Sequence, residues 1–228
     1  MNMIKTFLTA KVFLFASLAC VNTPALGAFL QIPIGSLANA NIRTYTGGAD
    51  YPIAPMTLTA GGVDFLLELQ VSVPDSLGAL QLDAPGTSFT IATNVVGAAT
   101  VYTLINSGFG AIGADNASIE FVGVNGADAT FDLVQGDNIR DHFQNVFNND
   151  APNTVPTLFA SDRLDRQTFV LPGSFATDTL TKIIFTAKDS GVPQGEAFLA
   201  AVTVATVPEP STLVMLVIAA AVIRLRRR

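Results

Sequence analysis

Alternation of apolar and polar residues in short runs restricts the fold of this chain more than any other feature. From Val63 to Val73 every odd position is apolar, while the positions between them include Asp64 and Glu68. Successive side chains of a β-strand point to opposite faces, so this run predicts a strand with one buried and one solvated face.

A hairpin is predicted further along the chain. Asn125-Gly126 separates the run 119–124 from the run 127–133, and this dipeptide favours the tight turns that join antiparallel strands. Six further runs have strand character: 41–46, 87–93, 100–105, 167–171, 179–187 and 197–205. Many short strands separated by turn residues predict an all-β fold, namely an antiparallel, jelly-roll-like β-sandwich.

One segment departs from the strand pattern. Asp137 could cap a short helix in which Ile139, Phe143, Val146 and Phe147 share one face. The polar stretch 148–153 would end this helix. We expect it to lie across an open end or edge of the sandwich, where it would cover unpaired strand groups.

The N-terminal residues have the pattern of a secretory signal peptide. Two lysines precede the apolar run 12–20, and a small-x-small site follows at residues 25–28. The apolar run is too short to cross a bilayer as a stable anchor. We therefore assign residues 1–27 to the signal peptide and expect the mature chain to begin at Ala28 or Phe29.

Cys20 is the only cysteine in the chain, and it leaves with such a signal peptide. The mature protein would then contain no disulfide, zinc-thiolate site or cysteine nucleophile. The exported domain, residues 28–206, must be stabilised by its core alone, which its length allows. The alternative is lipidation at Cys20, although Ser17 stands where a lipoprotein site has leucine.

The C-terminal residues combine a proline motif, an apolar stretch and a basic cluster. Val207, Pro208, Glu209 and Pro210 precede the apolar run 212–223, which is followed by a basic cluster that contains Arg224, Arg226, Arg227 and Arg228. The prolines interrupt regular structure. Arginines remain on the cytoplasmic side of a membrane and can extend a short span. We therefore predict a C-terminal transmembrane helix through residues 212–225, with its N-terminal side outside.

Residues 207–228 resemble the PEP-CTERM sorting domain of exopolysaccharide-producing Gram-negative bacteria. Val207, Pro208, Glu209 and Pro210 match its motif one for one. The resemblance implies export by the secretion machinery, transient anchoring in the inner membrane, and processing near the motif by a membrane-embedded exosortase. The alternative is an ordinary single-span tail anchor.

A second resemblance covers the later half of the exported domain. Its segments are 100–106, 137–141, 163–165 with Gln167, and 198–203. Together they are similar to a recurrent exported domain found upstream of PEP-CTERM tails. This resemblance supports the architecture and implies no chemistry.

The exported domain is strongly acidic. Residues 29–206 contain six basic and seventeen acidic residues, a net charge of −11. Nucleic-acid affinity is carried by lysine and arginine on phosphates, so this charge excludes nucleic acid as a partner. It is compatible with simple solubility and with divalent cations.

No catalytic constellation is visible in the sequence. His142 is the only histidine, no Gly-x-Ser-x-Gly motif accompanies it, and its place in the predicted helix makes it a surface or semi-buried residue. The chain has no tryptophan, and Tyr45, Tyr51 and Tyr102 are its only tyrosines. A site that stacks sugar rings on aromatic residues is therefore poorly supported.

Two acidic clusters could attract calcium, but each contains an arginine. Asp137 and Asp141 flank Arg140, and Asp162 and Asp165 flank Arg163. We interpret both clusters as salt bridges and expect no metal or other cofactor. The sequon at Asn116 is interpreted as a coincidence.

Three classes of function remain open. The first is a non-enzymatic surface or matrix protein sorted by its tail. The second is a carbohydrate-binding module of an exopolysaccharide matrix, and the third is an extracellular hydrolase.

Overall fold

The computed structural model describes residues 27–45, 50–68, 78–82, 84–144, 151–189 and 196–207. Within these ranges the chain is mostly β-strand, and the named strands pair only in antiparallel fashion. The prediction of an all-β, antiparallel fold is confirmed.

The described ranges contain thirteen strands and two short helical turns. The helical turns are α1, Ile42–Tyr45, and a 3₁₀ turn at Gly173–Thr177. The strands are β1 Phe29–Ile32, β2 Ala40–Asn41, β3 Met56–Ala60, β4 Val63–Leu67, β5 Gly78–Gln81, β6 Ser88–Val96, β7 Ala98–Ser107, β8 Asp115–Gly123, β9 Asp128–Val134, β10 Val155–Phe159, β11 Asp162–Val170, β12 Thr179–Ala187 and β13 Ala197–Thr206.

The strands form two larger sheets and a separate hairpin. The seven-stranded sheet has the order β10-β11-β7-β13-β5-β2, with β1 also paired to β13. The four-stranded sheet has the order β6-β12-β8-β9, β3 pairs with β4, and one sheet curls into a half-barrel. The finer prediction of a jelly-roll-like sandwich stays a prediction.

Both larger sheets contribute to one main core. Phe121 of β8 lies 5.8 Å from Phe131 of β9 and 5.6 Å from Phe169 of β11, measured between ring centroids. Because β11 belongs to the seven-stranded sheet, this aromatic cluster joins the two sheets. Side-chain burial of this kind is the main favourable term in the stability of the fold.

The predicted Asn125-Gly126 hairpin is confirmed. Strands β8 and β9 pair from Val122 opposite Asp128, and Gly126 has a φ of +94°. Only glycine adopts this backbone conformation without strain. The dipeptide therefore sets the turn.

The strand predicted at 63–73 is confirmed as far as Leu67, and its remainder lies mostly outside the described residues. Val63, Phe65 and Leu67 are buried, as the alternation predicts. Its partner β3 was not predicted, although Gly61 and Gly62, with φ of +56° and +79°, are the signature of a two-residue hairpin turn.

The strand predicted at 41–46 is wrong beyond its first residue. Residues Ile42–Tyr45 form a helical turn instead. The Asn41 Oδ1 atom accepts a hydrogen bond of 2.9 Å from the Arg43 N–H. Such a side-chain cap offers the backbone an alternative to the strand ladder.

The helix predicted from Asp137 is also wrong. Residues 137–144 form a turn and then short bridges, in which Ile139 pairs with Gln135 and Asp141 pairs with Ser107. The Asn138 side chain accepts from the Val134 N–H, at 2.8 Å, and donates to the Asp132 carbonyl. These local bonds compete with helix formation. Val146 and Phe147 lie outside the described residues.

The predicted transmembrane segment, residues 212–225, lies outside the described residues. In the part of the chain that the structure describes, no helix combines the length and the apolarity that a membrane crossing requires.

We predict that Phe121→Ala lowers the free energy of unfolding by about 3–5 kcal/mol, because it opens a cavity between the two sheets. Val124→Ala, at a side chain that is 63% exposed, serves as the control and should change it by less than about 0.5 kcal/mol. Urea unfolding of residues 28–207 measures both. Equal effects of the two substitutions would show that Phe121 does not stabilise the packing between the sheets.

Candidate functional site

The predicted sorting motif begins where the last described strand ends. Strand β13 pairs with β7 up to Thr206, opposite Ala98. The next amide, that of Val207, donates a 2.7 Å hydrogen bond to the Gly97 carbonyl. No spacer therefore separates the folded domain from Pro208. Of the predicted motif residues, Val207 is described, whereas Pro208, Glu209 and Pro210 lie outside the described residues.

The expected start of the mature chain lies beside this point. Strand β1 pairs with β13, with Phe29 opposite Ala205, and the Thr206 N–H donates to the Ala28 carbonyl at 3.0 Å. A Cβ atom added to Gly27 would clash with the Thr206 carbonyl oxygen. Both predicted processing points are thus at one end of the module.

A second group of candidate residues forms a buried polar network between β7, β11 and the segment 135–143. At its centre, the Asp165 carboxylate accepts two hydrogen bonds from Arg140, of 2.6 and 3.0 Å, and one from Asn106 of 3.1 Å. The Asp165 carboxylate is fully buried. A buried carboxylate is tolerated only when it is paired and hydrogen-bonded, as here.

Gln167 fixes the adjacent strand. The side-chain oxygen of Gln167 accepts hydrogen bonds from the Ile105 N–H and the Thr103 hydroxyl, and its side-chain nitrogen donates one to the Ile105 carbonyl. These bonds are 2.7–3.1 Å long. A register error between β7 and β11 would leave these buried groups unpaired, at a cost of about 1–3 kcal/mol each. Gln167 therefore helps to specify the strand register.

Arg163 and Asp141 bind the crossing segment to β11. The Arg163 guanidinium donates two hydrogen bonds to the Asp141 carbonyl, of 2.9 and 2.6 Å. The Asp141 carboxylate accepts from the backbone amides of Phe109 and Phe143, both at 2.7 Å. Burial raises the pKa of Asp141 above its usual value, although these amide hydrogen bonds oppose the shift.

His142 is buried, which corrects the prediction of a surface or semi-buried residue. The side chain is 2% exposed because residue 142 lies in an extended crossing segment and not on an outer helix. Its Nδ1 atom is 3.4 Å from the Asp162 Oδ1 atom. Burial lowers the pKa of His142 to about 4, so the imidazole is neutral at pH 7.

One of the two arginines, Arg140, pairs differently from the sequence prediction. Arg140 binds Asp165 instead of its neighbours, and the Asp137 carboxylate accepts from Asn153 at 3.3 Å. The salt-bridge interpretation is correct for Arg163, whose Nε atom lies 3.7 Å from the predicted partner Asp165, whereas the partner of Arg140 is distant in sequence. The described residues contain no group of three His, Cys, Asp or Glu side chains that could hold a metal ion.

Tyr51, Tyr102 and the sequon residue Asn116 make contacts within the domain. Tyr51 is buried and donates a 2.8 Å hydrogen bond to the Arg163 carbonyl. The Arg166 guanidinium lies 5.4 Å above the Tyr102 ring. The Asn116 side chain is buried and donates to Gln135, so it is inaccessible to a glycosylating enzyme in the folded domain.

Most polar groups of the network are hydrogen-bonded to one another within the domain. Its carboxylates are occupied by arginines or backbone amides, and the Ser107 hydroxyl donates to Gln135 at 2.7 Å. Four buried atoms in this region have no hydrogen-bond partner among the described residues: Asn116 Oδ1, Gln135 Nε2, His142 Nδ1 and Asp162 Oδ1. The four segments of the second resemblance, residues 100–106, 137–141, 163–165 with Gln167, and 198–203, meet at this network or in its strands.

The architecture and the motif together define an exported β-domain with a C-terminal sorting signal. Residues 206–228 match the family model described as the PEP-CTERM protein-sorting motif. The chain carries this motif, which implies export, exosortase-dependent sorting and association with the envelope or cell surface. No curated protein matches the chain.

Three solved structures resemble the chain distantly. A family two carbohydrate esterase from Cellvibrio japonicus is 13% identical, with 79% of this chain and 34% of that chain covered and a TM-score of 0.29. A chain in the structure of the infectious bursal disease virus Gx strain is 19% identical, with 72% of this chain and 35% of that chain covered and a TM-score of 0.29. The VP2 subviral particle of that virus is 14% identical, covering 72% and 41%, with a TM-score of 0.29. The chain spans less than half of these proteins, and likenesses at this level carry no argument about function.

We predict that Asp165→Asn destabilises the domain by about 3–5 kcal/mol, because it leaves the Arg140 guanidinium without its counter-charge. Asp128→Asn, at an exposed position of β9, removes the same charge outside the network and should have little effect. The free energies of unfolding of both variants in urea measure the difference. If both variants are as stable as the wild type, Asp165 does not hold the network together.

We predict that stability decreases as the pH falls from about 6.5 to 4. In this interval the unfolded chain binds a proton at His142 that the folded chain does not, because burial lowers the folded-state pKa from 6.5 to about 4. The slope is at most about 1.4 kcal/mol per pH unit. Burial raises the folded-state pKa values of Asp141 and Asp162, so their protonation opposes the loss near the acidic limit.

Urea unfolding at several pH values tests this dependence. His142→Gln should flatten the profile between pH 6.5 and 4, whatever its effect at neutral pH, and Asp128→Asn should keep the slope of the wild type. Parallel profiles for His142→Gln and the wild type would show that His142 is not the titrating group.

Proposed function

We propose that the protein is a non-enzymatic module of the cell surface or extracellular matrix, delivered through its sorting tail. The observation that carries this proposal is the direct junction between β13 and the motif, at the Val207–Gly97 hydrogen bond. A sorting enzyme that acts at the motif would release or attach a domain that is already complete. The proposed setting is the envelope of a Gram-negative bacterium.

The non-enzymatic assignment is supported by the occupation of the polar groups. The two arginines of the network and the Asp165 carboxylate bind one another, and the His142 imidazole is buried and neutral at pH 7. A general base must reach its substrate within hydrogen-bonding distance, and a side chain that is 2% exposed does not. The buried network therefore supports a structural role.

We further propose that residues 212–225 anchor the precursor in the inner membrane until an exosortase acts near Pro208–Pro210. The apolar run and the four arginines supply insertion and orientation. The motif supplies recognition by the enzyme. These two roles reside in different residues, so they can be separated by mutation.

We predict that changing Pro208-Glu209-Pro210 to Ala-Ala-Ala blocks processing but leaves export intact, because the signal peptide directs export. The precursor should accumulate in the inner membrane and retain Arg224–Arg228. Mass spectrometry of the chain from fractionated cells of the native host measures this retention.

Replacing the four arginines with serine provides the matched control. That variant keeps the motif but loses the charge asymmetry, so its orientation in the membrane should become mixed. If the triple-alanine chain is processed and localised like the wild type, the tail is a simple anchor and the proposed sorting role is wrong.

A further inference from the structure

The end of the module from which the tail leaves has a distinctive surface. We call it the exit end and define it by residues 28–30, 96–100, 123–128, 168–171, 178–179 and 203–207. The backbone hydrogen bonds of this end join both larger sheets, since the Gly97 N–H donates to Asp178 and the Gly97 carbonyl accepts from Val207.

Large apolar side chains are exposed at the exit end. Val96 and Val170 are each 69% exposed, Val124 is 63% exposed and Phe29 is 50% exposed. The pairing places them close to the point where the tail leaves. Val96 pairs with Thr179, whose carbonyl accepts from the Val124 N–H, and Phe29 pairs with Ala205, one residue before Thr206.

The exit end also lacks positive charge. Its residues include no lysine or arginine, and its acidic residues are Asp128 and Asp178. Asp178 is 4% exposed and accepts hydrogen bonds from the backbone amides of Asn125 and Ala127. Without basic side chains, this surface does not attract an anionic partner by charge. Burying it against a partner also requires no desolvation of basic groups.

The sequence places the exit end close to a membrane. Only four residues, 208–211, separate Val207 from Thr212, where the predicted membrane segment begins. A fully extended chain advances about 3.3–3.6 Å per residue, so Thr212 is within roughly 18 Å of Val207. The precursor therefore holds its exit end near the headgroup region while the tail is inserted.

We propose that the exit end is a docking surface for the outer face of the bilayer, with Val96, Val124, Val170 and Phe29 as its lipid-contacting side chains. This inference rests on the membrane-anchored precursor of the proposed function. Apolar side chains bind the headgroup boundary through the area that they bury there. The net charge of the domain is −11 over residues 29–206, so its acidic surfaces are repelled by anionic lipids. Docking orients the module and presents the motif at the membrane surface, and cleavage of the tail ends this contact.

Fluorescence quenching in the full-length precursor tests the proposal. The chain, in a Cys20→Ser background, is reconstituted into neutral phosphatidylcholine vesicles that contain lipids with a spin label near the headgroup. An environment-sensitive fluorophore is attached at Val124→Cys in one sample and at Ile112→Cys in the other. Ile112 is 79% exposed and lies next to Gly113, which bonds Gln135 at the opposite end of the four-stranded sheet.

We expect the spin-labelled lipid to quench the label at position 124 several-fold more strongly than the label at position 112. Raising the salt concentration about tenfold should not change this difference, because apolar contact is not screened. In the chain labelled at 124, the double substitution Val96→Ser and Val170→Ser should reduce quenching by half or more. The matched double substitution Ile112→Ser and Leu158→Ser, at exposed positions elsewhere, should leave it unchanged.

Other outcomes overturn the proposal in distinguishable ways. Equal quenching at 124 and 112 in a chain that floats with the vesicles refutes the docking surface and leaves the sorting function intact. A chain that does not float refutes the membrane anchor as well. Energy transfer between labels at 124 on different copies, without lipid quenching, would identify a second copy of the chain as the occupant of this surface.

Discussion

The structure depends on the pairing of β13 along both of its edges. One edge is hydrogen-bonded to β7, and the other is bonded first to β5 and then to β1. Side chains of a strand alternate between faces, so a strand with cores on both sides must be apolar throughout. Leu199, Val202 and Val204 lie in the main core, whereas Phe198 and Ala200 lie in a second one beneath the β3–β4 hairpin. This requirement explains the nearly continuous apolar run from Ala197 to Val204.

The buried polar network has a role that apolar packing cannot fill. The backbone of segment 135–143 is joined to its neighbours by isolated bridges and turn hydrogen bonds, so the backbone alone specifies its position weakly. Arg140 and Asp141 supply directional contacts to β11 and to Phe109. Charged hydrogen bonds are sensitive to geometry, so they favour one placement of the segment over alternatives of similar apolar burial.

Sequence patterns predicted those elements whose structure is decided locally. The strand predicted at 179–187 matches β12 at both ends, and Asn125-Gly126 forms the expected hairpin. The predictions failed where contacts distant in sequence decide the structure. The spacing of Ile139 and Phe143 fits a helix, but Ile139 is buried in the main core in a bridge to Gln135. The partner of Arg140 is Asp165, twenty-five positions away, whereas the sequence suggested Asp137 and Asp141. The burial of His142 follows from this same misplaced segment.

The position of β13 in the chain links the folding of the domain to its export. The strand at the centre of the larger sheet is the last described strand, so the sheet cannot be completed until residues 197–206 have crossed the membrane. Its partner strand β1 lies near the start of the domain and crosses the membrane first. Pairing β1 with β13 closes a long loop, and the entropic cost of this closure comes before the pairing compensates for it. A membrane segment directly after β13 would hold this strand at the outer face of the membrane until β1 and β7 pair with it. A cut on the C-terminal side of Val207 would then break none of the described hydrogen bonds, so processing at the motif would leave the finished domain intact.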